Sequence, residues 1–366
     1  MNSTLCEDTS LNINIEWKIV LVLAYSSVGF TSLVGNLAVL TIVVCRKEMR
    51  TVTNIFISSV STADLLITSV SLWATPLAYF QKVWNFGQVM CYIVYVIQGA
   101  SLMWVPLTLA AIAVDRYRLV AQPFLQPMST KCCFACIASI WLSAFAVLSP
   151  MLANVRFFEI SPCYKYCLEF WPSDSRLLYG LFVLLVRSAL PLALISWCHW
   201  RIASILNEHS RKFRRVSSGC ITTSQAIDIK KKQRLQTLLL AMVVIFAVSS
   251  LPIDLFNVLQ DMEIVYKVET VSKTVRQSIF FFSHWLAMAG TLLNPLVYAW
   301  WNTNFRRQIQ VRSTLHFEPC CSTTNAIEQI KHQDFRISLM VIVGGIRLNG
   351  DRTPLWIPCV KISKGF

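Results

Sequence analysis

Charge is scarce in this chain. Of 366 residues only 14% are Asp, Glu, Lys or Arg, 55% are hydrophobic, and mean hydropathy is +0.54. That balance lies far from the composition of a soluble domain. Acids are the scarcer sign, 19 against 33 basic residues, for a formal net charge of +14. In a soluble protein the excess would point to nucleic acid. Here the basic residues gather in particular loops between apolar runs, so they read as membrane topology and no nucleic-acid partner is expected. Nothing in the chain has the form of a phosphate-cradling loop, a zinc-ligand pair or a nucleophile–base constellation, so neither an enzyme nor a cofactor is expected. No internal repeat divides the chain, which weighs against a transporter built from inverted repeats. The 13 cysteines do not form a disulfide scaffold, because most lie inside apolar runs or on the basic side. Only Cys6, Cys91, Cys163 and Cys167 are expected on the oxidising side.

What the chain does have is apolar length. Runs recur at about 19–44, 53–80, 88–121, 132–152, 177–205, 235–260 and 277–301, each long enough to cross a bilayer as a helix. The third organises the rest. From Cys91 to Tyr117 it carries no acidic or basic residue until Asp115-Arg116, and as a helix it spans about 37 Å from Cys91 to Arg116. Cys91 therefore lies at one membrane face and Asp115-Arg116-Tyr117 at the other. The loop holding Arg46, Lys47 and Arg50 is basic, as is the stretch 201–234 with Lys230-Lys231-Lys232, whereas the alternate loops mix signs. The positive-inside rule then puts the basic loops in the cytoplasm and the N-terminus outside. Residues 1–18 are polar and carry one glycosylation sequon at Asn2. They show no basic region followed by a cleavage site, so no removed signal peptide is expected. The expected architecture is an all-α membrane protein: an extracellular N-terminus (1–18), a bundle of seven transmembrane helices (19–301), a short amphipathic helix (302–312) and a cytoplasmic tail, expected to be disordered (313–366).

Several polar or helix-breaking residues sit where hydrocarbon would penalise them: Gly35-Asn36 in the first run, Asp64 in the second, and Asn294-Pro295 in the seventh. A buried polar cluster that merely locks packing is one reading. Together with Asp115-Arg116-Tyr117, Trp141, Pro191, Pro252 and Asn294-Pro295-Leu296-Val297-Tyr298, however, they stand in the order of the landmarks of rhodopsin-like G-protein-coupled receptors, and residues 20–312 resemble that family. WNFG before Cys91, CLEFWP, FAVSSLPIDLFNVLQD and SHWLAMAGTLLNPLVY are most similar to receptors for amidated peptides of the neuropeptide Y and RFamide kind.

The resemblance implies a multi-pass plasma-membrane receptor whose partners are an extracellular amidated peptide, a heterotrimeric G protein and membrane lipid. It implies a disulfide from Cys91 to the second outer loop, with Cys167 favoured by its CLEFWP context over Cys163. Cys163 would then pair with Cys6 or stay free. For the ligand it implies Gln98 and Thr75 on the terminal amide, Asp261 on a ligand arginine, and Glu169, Asn257 and His284 nearby. Plainer alternatives stand beside these: Asp261 as an ordinary loop acid, His284 as a packing residue. For the cytoplasmic switch it implies Asp115, Arg116, Tyr117, Pro252, Asn294, Pro295 and Tyr298. It adds a sodium site at Asp64 and palmitoylation at Cys320 and Cys321.

Arg187 and Asp254 are expected to face each other between the fifth and sixth helices. An ion pair, a free Arg187 awaiting a ligand acceptor, and an Arg187 snorkelling to water are the three readings. Departures from the family pattern are Ser250 for a Trp, Ser249 for a Cys, His199 for a Tyr, Pro106 for a branched aliphatic, and Val105 and Gly290 near Asp64. They keep open a decoy or weakly coupled receptor, and, outside the family, a transporter or channel using Asp64, Arg187 and Asp254 as relay charges.

Overall fold

The computed structural model describes residues 14–122, 124–161, 163–172, 175–216 and 223–301, with Phe305 and Arg307 beyond them; side chains 209–210, 212–216, 223–231 and 301 lie outside that description. Asn2, Cys6, Cys320, Cys321 and the tail fall outside the described residues, as does most of 302–312.

Among the described residues, seven helices are long and apolar enough to cross a membrane. They are α1 (Ile15–Cys45), α2 (Val52–Gln81), α3 (Gly87–Ala121), α4 (Thr130–Asn154), the fifth span made of α5 (Ser175–Leu184) and α6 (Leu190–Val216), α7 (Thr223–Tyr266) and α8 (Lys273–Trp301). Such runs must be helical, because hydrocarbon offers no partner to an open backbone. Side-chain caps fix two starts near Arg116: Thr51 Oγ1 accepts from the Asn54 amide and Ser129 Oγ from the Cys132 amide, each at 3.3 Å.

Two expectations change. The basic stretch 201–234 is largely helical, since α6 runs to Val216 and α7 begins at Thr223. The loop after α4 is an antiparallel hairpin, β1 (Val155–Ser161) on β2 (Tyr164–Glu169), pairing Phe157 with Cys167. The third run is one helix as expected, with Pro106 buried inside it.

Prolines shape the bundle elsewhere. The ring of Pro191 cannot accept a normal helical turn against the carbonyl four residues earlier. Just before it, Leu185–Ala189 form a π-turn, in which the Leu190 amide reaches the Leu185 carbonyl. Pro295 likewise has no N–H for the Thr291 carbonyl. Asn36 Nδ2 supplies the missing donor from α1 at 3.0 Å. Gly35 permits that approach, for a Cβ there would lie 2.9 Å from Pro295 Cγ. The Gly-Asn pair and the seventh-span proline are one packing unit.

Candidate functional site: a cavity under the hairpin

At the Cys91 end, the described side chains leave a cavity of about 660 Å³ between the helices and under the hairpin. A disulfide joins Cys91 at the start of α3 to Cys167 in β2, with Cα atoms 5.8 Å apart. Cys163 is itself disulfide-bonded, which removes the free-thiol alternative. Trp84 braces this corner: its amide donates to the Lys165 carbonyl, and its indole Nε1 donates to the Gly87 carbonyl at 2.8 Å. Gly87 adopts φ +77°, the left-handed region that favours glycine, so the WNFG turn starts α3. The hairpin is thereby tethered across the cavity.

Thr75, Gln98, Glu169, Arg187, Asp254, Asn257 and Asp261 all line the cavity. On one wall, Gln98 Oε1 accepts from Thr75 Oγ1 at 3.0 Å and from Ser71 Oγ at 3.2 Å. Nearer the hairpin, Asp261 Oδ1 meets Arg176 Nε at 2.5 Å. Gly180, one turn after Arg176, lets α7 come close, because a Cβ there would collide with the Asp261 carboxylate. Glu169 Oε2 accepts from Trp171 Nε1 at 2.7 Å, and the Trp171 ring stacks on Tyr179 at 4.7 Å. Burial pushes the Glu169 carboxyl above its ordinary pKa, and the bond from Trp171 and the charge of Arg176 oppose that rise. Deeper in the bundle, Arg187 Nη1 meets Asp254 Oδ1 at 2.8 Å, and Ser188 Oγ donates to Asp254 Oδ2.

His284 is not part of this wall. It is buried, its Nδ1 lies 3.1 Å from the Tyr25 hydroxyl, and its ring stacks 5.6 Å from Phe280, which does line the cavity. The structure places His284 behind Phe280 and off the cavity wall. Arg176, Tyr179, Gln277 and Phe280 line the cavity without having been singled out from the sequence. The lone basic residue opening the fifth span was the one available signal for Arg176.

A second, much smaller cavity of about 30 Å³ adjoins Asp64, Ser101, Val105, Ser249, Ser250, Gly290, Thr291 and Asn294. Asn294 Nδ2 donates to Asp64 Oδ2 at 2.9 Å. Ser101 Oγ is buried with no partner among the described residues. One carboxylate and several hydroxyls around a space of this size fit a small monovalent cation. Gly290 has a packing reason: a Cβ there would lie 2.6 Å from Ser249 Oγ.

At the opposite end, Arg116 Nη2 is bound by Asp115 Oδ2 at 2.8 Å and by Thr53 Oγ1 on α2. Tyr298 is fully buried, its ring 4.7 Å from Phe305. Pro252 lies within α7, and Tyr117 packs on Trp197 at 5.0 Å. His199 Nδ1 lies 2.7 Å from Gln236 Nε2, linking α6 to α7.

A ligand-sized cavity at one end and a held arginine at the other, joined by seven spans, are the layout of a seven-transmembrane receptor. Residues 35–298 match the family described as 7 transmembrane receptor (rhodopsin family), and the chain belongs to it; it is a multi-pass membrane receptor and not an enzyme. Among similar proteins, the neuropeptide Y receptor type 2 of Homo sapiens is 33% identical over 301 residues, covering 80% of this chain and 76% of the relative. That of Sus scrofa is also 33% identical, covering 80% and 75%. The neuropeptide receptor npr-1 of Caenorhabditis elegans is 28% identical over 321 residues, covering 78% and 70%.

Proposed function

We propose that this chain is a cell-surface receptor for an extracellular amidated peptide that activates a heterotrimeric G protein. The N-terminus and hairpin face outward, and the Arg116 end faces the cytoplasm. The observation that carries the reading is the layout of the larger cavity. It sets two carboxylates, Asp261 and Glu169, near the hairpin, and the neutral Gln98–Thr75 pair on the wall. A peptide ending in an arginine, an aromatic residue and an amide needs an anion for its guanidinium and amide-type partners for its end. The similarity to receptors named for neuropeptides supports the same ligand class.

Ligand binding would bias a packing equilibrium in which α7 moves about Pro252 and Arg116 leaves Asp115 and Thr53 for the G protein. In this reading Asn294, Pro295 and Tyr298 rearrange with the inner end of α8. Asp64 with Ser101 and Asn294 would hold a sodium ion that favours the resting packing. Asn2 would carry a glycan, and Cys320 and Cys321 would be palmitoylated beyond an amphipathic helix over 302–312 that lies on anionic lipid.

Guanine-nucleotide exchange in membranes, stimulated by a library of amidated peptides, tests the proposal. Exchange supports it. Binding without exchange would make the chain a decoy, the alternative that Ser250, His199 and Pro106 keep alive. Solute flux without either would make it a transporter.

A further inference from the structure

Polar pairs join α7 to the fifth span at three levels. Asp261 meets Arg176, and Asp254 meets Arg187 and Ser188, both on the outer side of Pro252. On the inner side, Gln236 Nε2 lies 2.7 Å from the ring Nδ1 of His199 and 3.4 Å from the His199 carbonyl. Among the described residues, α7 makes no other side-chain hydrogen bond to another helix inward of Pro252. His199 is buried. An amide nitrogen only donates, so Nδ1 accepts and the neutral ring carries its hydrogen on Nε2.

Arg116 supplies no such tie. Among the described residues it bonds to Asp115 on its own helix and to Thr53 on α2, and to nothing on α7. Tyr117 packs on Trp197, which sets α6 against α3. Leu239, Met242 and Phe246 bury apolar side chains along the inner half of α7. Apolar contacts of that kind can slide, whereas a hydrogen bond to a buried ring is either made or lost.

We propose that the His199–Gln236 bond is the latch that holds the inner end of α7 at rest, and that ligand binding must open it. The inference rests on the G-protein reading and deepens it. Gln236 lies about 24 Å along the helix from Pro252. A swing of about 10° about the proline carries that end about 4 Å, beyond the reach of the bond. Asp254 stands two residues beyond the pivot, so its pair with Arg187 sits at the hinge while the Gln236 bond sits at the tip. The latch belongs to this chain, because it needs the histidine at 199 where the family pattern has a Tyr.

The test is guanine-nucleotide exchange without peptide by the full-length receptor in membranes, expressed per receptor. His199→Phe keeps a ring and removes the acceptor; Gln236→Met keeps the length and removes the donor. Each is expected to raise basal exchange about three- to tenfold, the weight of one hydrogen bond. The double variant should rise no further than either single one. His199→Asn puts an oxygen where Nδ1 stands and should stay within about twofold of the unmodified receptor. Hydrogen exchange of the purified receptor in detergent needs no G protein. The amides from Leu238 to Phe246 should lose protection in the first two variants and keep it in His199→Asn. Peptide-stimulated exchange by the unmodified receptor, with basal exchange unchanged or lowered in both single variants, overturns the latch alone. A rise that His199→Asn shares, or a fully additive double variant, also overturns it. If no amidated peptide and no variant produces exchange, the G-protein reading falls and the latch falls with it. If neither single variant folds, rapid amide exchange over the same stretch of the unmodified receptor overturns the latch, and slow exchange supports it.

Discussion

Arg176 occupies Asp261, the carboxylate that a ligand arginine is proposed to reach: the guanidinium Nε sits 2.5 Å from Oδ1, with Arg176 26% and Asp261 12% exposed. A ligand arginine must therefore displace or share a resident one. Arg176→Ala should strengthen an arginine-containing peptide several-fold, because the competitor is gone. Asp261→Ala should weaken it by about 2–5 kcal/mol if the pair is desolvated, and should matter much less for a peptide with alanine in place of the arginine. Competition binding with the two peptides checks both. Weaker binding to Arg176→Ala would mean that Arg176 holds the ligand and does not compete with it.

Acid should weaken cationic ligands at this site. Burial raises the Glu169 pKa, so this group takes up a proton earlier than an ordinary carboxylate as pH falls. The charged form dominates at higher pH, and the attraction for a ligand guanidinium is lost as the carboxyl neutralises. Affinity should fall on acidification, and Glu169→Gln should lower it at neutral pH while flattening its pH dependence. An unchanged pH profile in the variant would place the titrating group elsewhere.

How much of this could be read beforehand divides along physical lines. The seven spans were legible, because a stretch that must satisfy its backbone in hydrocarbon shows itself as an uninterrupted apolar run. The hairpin was not: VRFFEIS and YKYCLE are short, and their pairing is set by the Cys167 tether and Trp84. The Arg187–Asp254 contact was legible because two opposite charges in adjacent spans have few other places to go. Arg176–Asp261 joins residues 85 apart and depends on Gly180, a packing fact with no local signature. The placement of His284 has a related cause. Its neighbours Tyr25 and Phe280 decide which way it faces, and Tyr25 comes from the far end of the chain.

Ser250→Trp puts the family's usual bulk back where this chain has a serine. The cavity beside Ser250 is about 30 Å³, roughly one water molecule's share of space. An indole there overpacks the site, at a cost of about 1–3 kcal/mol. Surface expression and thermal stability in detergent should both drop. Normal stability with raised agonist efficacy would show that the ring finds room in the larger cavity and acts as a switch.

Separating Arg187 from Asp254 should be costly one residue at a time. Either single alanine leaves a buried charge alone, a loss of about 3–5 kcal/mol, read as lower surface expression or as raised basal nucleotide exchange. The swap Arg187→Asp with Asp254→Arg should recover part of it. Ser188 limits that recovery, because its hydroxyl now donates to the carboxylate on α7. Purely additive damage in the double variant would mean that the pair does not hold the two spans together.

Asn36 and Pro295 offer the cleanest cycle, because each explains the other. The Thr291 carbonyl lacks a helical donor only because Pro295 has no N–H, and Asn36 Nδ2 fills that place at 3.0 Å. Asn36→Ala should therefore strand a buried carbonyl and cost about 1–2 kcal/mol. Pro295→Ala restores an N–H that can reach Thr291 from within α8, so on that background the loss of Asn36 should cost far less. The melting temperatures of the four proteins in one detergent give the coupling directly. Strictly additive costs would mean that Asn36 acts through its other bonds, to the Ser32 carbonyl at 3.0 Å and hydroxyl at 3.2 Å, and that the proline of the seventh span is tolerated for some reason other than the donor from the first.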